Sequence, residues 1–212
     1  MQTGGKDTTI DTLHEIRSIM DRSSRFLSLS GWSGIWAGCV ALAGACVAYS
    51  WLHDPVYANA DYANTGTYSY SEYTIIRFFI LAIAVFSVAL AGGYYFTYRK
   101  AKRQEQTLWS PALRQMLLQL FFPVLVGGIF SIVFISHGNM LYIAPVCLAF
   151  YGLALISAGK YTHSDIRYLG MLQVLLGCIC FLKPGWGLYF WAAGFGVLHI
   201  LYGVIMWNKY DK

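Results

Sequence analysis

Few side chains in this sequence could do chemistry, and the two best placed are His199, in GFGVLHILYG, and Gln173, in LGMLQVLLG. A histidine in such apolar surroundings can relay a proton or bind a metal, or it can satisfy itself on the carbonyl of a neighbouring helix. Gln119, in LLQLFFP, is a third polar candidate of the same kind. The segment GKYTHSD sets Lys160, His163 and Asp165 close together. These three could act as acid, base and orienting group if they converged; otherwise the segment is a solvated turn in which Asp165 caps the following helix.

Other chemistry is missing from the pattern. No Asp or Glu falls in the middle of an apolar run, which argues against an ion-coupled carrier and against a two-aspartate intramembrane protease. No H-E-x-x-H, G-x-S-x-G or phosphate-loop pattern occurs. The five cysteines (Cys39, Cys46, Cys147, Cys178 and Cys180) all lie in apolar runs without ligand spacing, so free thiols are expected rather than disulfides or a zinc site. No catalytic residue, metal or cofactor is expected.

The segments that carry these residues are apolar beyond what a water-soluble fold can hide. Of the 212 residues 57% are apolar and 12% charged, where soluble domains carry about 25% charged residues. Mean hydropathy is +0.50. A membrane span needs about 20 mainly apolar residues, and six runs qualify: Gly31–Leu52, Ile75–Tyr98, Leu117–Ile135, Met140–Ala158, Ile166–Leu182 and Trp186–Trp207. The expected fold is therefore an all-α polytopic membrane bundle of six transmembrane helices. The links between spans three and four and between spans five and six are short enough to make each pair an antiparallel hairpin.

Basic residues set the expected orientation. Lys6, Arg17, Arg22, Arg25, Arg99, Lys100, Lys102, Arg103, Arg114, Lys160, Arg167, Lys209 and Lys212 fall on one side, thirteen of the fifteen in the chain. Only Arg77 and Lys183 fall on the other. By the positive-inside rule both termini, the 99–114 loop and the 159–165 loop are cytoplasmic. Trp32, Trp51, Trp109, Trp186 and Trp207 lie near span ends, where amphipathic rings prefer the headgroup layer, whereas Trp36, Tyr151 and Trp191 lie deeper and are expected to pack between helices.

The polar parts divide the chain into residues 1–30 and a transmembrane domain, 31–212. Within 8–28, Ile10, Leu13, Ile16, Met20 and Leu27 gather on one side of a helical wheel, which reads as an amphipathic cytoplasmic helix. Its occupant is either the inner leaflet or a protein partner, a second copy included. The outer loop, 53–74, has no Lys or Arg and is rich in Tyr, Asn and Ser; it is either a short interfacial cap or an adaptable binding surface. Arg99, Lys100, Lys102 and Arg103 in the basic inner loop are expected to face anionic lipid. Beside a span such a cluster fixes topology, and no nucleic-acid partner is expected.

Small residues carry the packing signal. Gly34 and Gly38 form a G-x-x-x-G pair in span one, which allows close helix approach. Pro123, followed by Gly127 and Gly128, marks span three as kinked and as the candidate hinge.

Two resemblances follow from particular residues. The hairpin from Leu175 to Gly203, with LLGCICFLKPG before the turn and Gly177, Pro184 and Gly203 as its signature, resembles the short repeat of the HdeD-type family, six-span bacterial inner-membrane proteins linked to acid-stress resistance. The stretch EIRSIMDRSSRFLSLSGWSGIWAG, Glu15 to Gly38, is similar to a family of bacterial membrane proteins of unknown function, some encoded beside small winged-helix regulators. The latter family supplies no catalytic residues to carry over. Together they imply a bacterial inner-membrane protein with a non-enzymatic, stress-related or regulatory role, working through helix packing and partners. The alternative is a small transporter or channel with a pathway near Pro123, Gln173 and His199.

Overall fold

A computed structural model describes residues 29–53, 72–105, 109–183 and 185–211. The expected amphipathic helix at 8–28, nearly all of the outer loop and Pro184 lie outside the described residues. Those described form no strand, and six helices among them are long and apolar enough to cross a membrane. They are α1 (Gly31–Leu52), α2 (Glu72–Arg103), α3 (Pro111–Ser136), α4 (Ile143–Ala158, entered through a 3₁₀ turn at Met140–Tyr142), α5 (Asp165–Leu182) and α6 (Gly187–Asp211).

α2, α3 and α6 run past the apolar stretches that announced them. α2 has 32 residues, about 48 Å at 1.5 Å per residue. Apolar content reports only the part suited to hydrocarbon, whereas backbone hydrogen bonding continues into polar flanks until a cap or breaker stops it. Ser110 begins α3, its hydroxyl accepting from the Leu113 N–H at 3.1 Å, and Pro111 follows where its missing N–H costs nothing. Ser30 caps α1 in the same way, accepting from Trp32 N–H at 3.3 Å. Pro123 cannot donate to the Gln119 carbonyl one turn before it, yet α3 is helical throughout.

α6 is the irregular element. Its backbone is α-helical over Gly187–Trp191, π-helical over Ala192–Leu198, α-helical again over His199–Met206, and π-helical at its end, Trp207–Asp211.

Helix contacts run in a chain rather than a ring. α2 packs on α1, α1 on α6, α3 on α4, and α4 on α5, with α6 also meeting α4 and α5 near its start. Small residues make the closest helix contacts, beside larger buried ones such as Leu148, Leu155, Leu169 and Met206. A Cβ built on Gly38 would lie 2.6 Å from the Gly196 carbonyl oxygen of α6, and one on Gly34 would lie 3.1 Å from Gly203 Cα. α4 and α5 approach as closely: a Cβ on Gly152 would meet the Gly170 carbonyl at 2.6 Å. Many large apolar side chains point outward. Phe79, Ile80 and Phe86 on α2 and Phe121 and Phe122 on α3 are all more than half exposed. α2 and α3, at the margins of the array, are the least covered.

Candidate functional site

The sequence candidates Gln173 and His199 meet. Gln173 projects from α5 and is wholly buried, and His199 on α6 is 7% exposed. Both reach one oxygen, the carbonyl of Gly194 in the π-helical stretch: Gln173 Nε2 donates to it at 2.9 Å and His199 Nδ1 at 3.0 Å. A π turn widens the helix and loosens its carbonyls from regular pairing, which makes such an oxygen reachable. Gly194 also leaves room: a Cβ there would sit 2.5 Å from Gln173 Oε1.

The hydrogen-bond order places a proton on Nδ1, because a carbonyl only accepts, and Nε2 meets the Tyr151 hydroxyl of α4 at 3.0 Å. The network thus runs from the Tyr151 hydroxyl through His199 to the Gly194 oxygen, where Gln173 N–H also ends. The 3.5 Å approach between Gln173 Nε2 and His199 Nδ1 sets two donors side by side and is no bond. Gln173 Oε1 accepts from nothing and rests against the Gly194 backbone. Around the network, the rings of Tyr151 and Phe195 lie 5.1 Å apart, as do those of Phe195 and Trp191.

Chemically this is a joint among α4, α5 and α6. It contains no carboxylate, and its acceptor end is a backbone oxygen that cannot hold a proton. Among the described residues no group of three or more His, Cys, Asp or Glu could hold a metal ion. All five cysteines are free thiols.

The third polar candidate is elsewhere. Gln119 on α3 is exposed on the outer surface of the array. Of the hinge residues, Pro123 is half-buried, Gly127 packs on the Phe150 side chain, and Gly128 faces open space. Lys160, His163 and Asp165 do not all converge: His163 lies near enough to Asp165 to bear on its charge, whereas Lys160 is not among the groups that do. Lys160 is exposed, the buried His163 lies over the Tyr210 ring at 4.1 Å, and Asp165 Oδ2 takes Lys209 Nζ at 2.8 Å and Tyr210 O–H at 3.0 Å. Nor does Asp165 cap α5. It sits in the first turn after Ser164, and the ammonium it holds comes from the far end of α6.

Lys100 departs from its expected place at the lipid surface. Arg99, Lys102 and Arg103 are exposed, but Lys100 turns inward, pairing with Asp211 Oδ1 at 2.6 Å and donating to the Leu29 carbonyl at 2.8 Å. The other oxygen of Asp211 accepts from Ser30 Oγ at 3.0 Å and from Gly31 N–H at 2.9 Å. One carboxylate therefore fastens the start of α1 and the ends of α2 and α6. Sequence reasoning missed this latch; its only signal was an acid close behind the last apolar run.

The chain matches no family model, no curated protein and no solved structure.

Proposed function

We propose that this chain is an integral protein of a bacterial inner membrane, both termini cytoplasmic, with a non-catalytic, stress-related or regulatory role exerted through helix packing and partner binding. The observation that carries the reading is the fate of its best polar residues: Gln173 and His199 are spent on the backbone carbonyl of Gly194. A pump or channel would aim such groups into a polar passage; here they hold helices together.

Other features support the surroundings. The outward apolar faces of α2 and α3 suit lipid contact, and a bundle packed through Gly34 and Gly38 is the form that association takes where burial of apolar surface gives no drive. The thirteen basic residues on one side suit a cytoplasmic face bearing anionic lipids. The HdeD-type hairpin resemblance supplies the stress-related part of the proposal, and the sparsely covered α2 and α3 leave room for a second copy or another membrane protein.

The second reading, a small transporter, draws on the π-helical stretch, since such distortions recur at functional sites. Affinity purification of the tagged full chain from its native membrane, followed by mass spectrometry, separates the two. The partner reading expects a stoichiometric companion or a self-associated form. A lone monomer that carries solute across reconstituted vesicles, and loses that activity in Gln173→Leu, would replace it with the transporter.

A further inference from the structure

α5 and α6 are bridged at two levels and open between them. Deep in the array Gln173 bonds to Gly194; at the cytoplasmic ends Asp165 bonds to Lys209 and Tyr210. The nine-residue interval from Asp165 to Gln173 spans about 12 Å. Between the bridges lies a slot of about 280 Å³, walled by Leu169 and Leu172 of α5 and by Leu198, Leu201 and Ile205 of α6. That is just under the size at which ligand clefts begin, near 300 Å³, and gives room to part of one hydrocarbon tail.

The polar groups at its head choose among lipids. Asp165 lines the slot, and Lys209, beside it, is 54% exposed by side chain against 19% for the aspartate. An ammonium has three donors, so Lys209 has N–H groups to offer beyond the one on Asp165. The pair presents an anion and a cation side by side, the complement of a head group that carries both. Tyr202 adds to the slot's wall.

We propose that this slot binds a zwitterionic phospholipid with a primary ammonium head group: one acyl chain between α5 and α6, the phosphate on Lys209 and the ammonium on Asp165. A purely anionic lipid would leave Asp165 facing like charge. A quaternary ammonium has no N–H to donate to the carboxylate. The proposal rests on the membrane reading above.

The test uses the full chain in nanodiscs of equal parts phosphatidylethanolamine, phosphatidylcholine and phosphatidylglycerol, with retained lipid read by native mass spectrometry after gentle release. Wild type is expected to hold phosphatidylethanolamine in excess of its share of the disc. Leu201→Trp, which fills the slot, abolishes retention. Asp165→Asn keeps a lipid but loses about threefold of the head-group preference, the size of one partly exposed ion pair. Retained lipid that mirrors the disc composition, a preference for phosphatidylglycerol, or retention unchanged by Leu201→Trp overturns the proposal. Alkaline extraction of native membranes tests embedding separately: release of the chain there would sink the membrane reading, not the slot alone.

Discussion

At Gly194 a single carbonyl oxygen receives donors from two side chains, and the two substitutions that remove them should not add. Gln173→Leu and His199→Leu are each expected to cost about 1 kcal/mol, the scale of polar contacts between membrane helices. Because either donor alone still satisfies the shared oxygen and only their joint loss leaves it bare, the double variant should cost more than the sum by about 0.5 kcal/mol or more, read by unfolding in mixed micelles. Strict additivity would mean the shared oxygen is not the link. Glycine contacts give a sharper pair. Gly38→Leu drives a side chain into the Gly196 carbonyl and should cost about 1–3 kcal/mol, whereas Gly128→Leu, facing open space, should change stability by less than about 0.5 kcal/mol. Thermal stability in detergent compares the two directly. The roles of His199 and Gln173 were legible as candidates because a polar residue in an apolar run stands out. That they share one acceptor was not, since the acceptor is backbone and carries no sequence signature.

Among the elements, α6 connects most of the fold. Its π-helical middle offers the oxygen that holds α5, its glycines admit α1, and its last residues reach three other elements. Asp211→Ala removes a charge-assisted bond to Gly31 N–H and leaves Lys100 without its carboxylate. Amide exchange at Gly31 should accelerate about tenfold or more, matching a loss of 1.5 kcal/mol, while exchange in the middle of α3 stays unchanged. Equal acceleration in both would point to global loosening rather than a latch. The helices themselves were readable from their apolar runs, although α2 and α3 continue well beyond them. Pairings between their ends were not readable: Lys100 with Asp211, and Asp165 with Lys209, join residues far apart in sequence.

For the molecule as a whole, the account stands on six crossings with both ends inside. Among the described residues six helices are long and apolar enough to cross a membrane, with many large apolar side chains facing outward; the orientation is proposed from the expected placement of the basic residues in the sequence. The direct measurement is substituted-cysteine labelling in intact cells with a membrane-impermeant thiol reagent, on a background lacking the native cysteines. Single cysteines replace Ser69, Thr107, Asn139, Lys160 and Lys183 in turn. The account expects Ser69→Cys, Asn139→Cys and Lys183→Cys to label from outside, and Thr107→Cys and Lys160→Cys only after the membrane is opened. Labelling of Thr107→Cys or Lys160→Cys in sealed cells, or protection of Asn139→Cys, would contradict it.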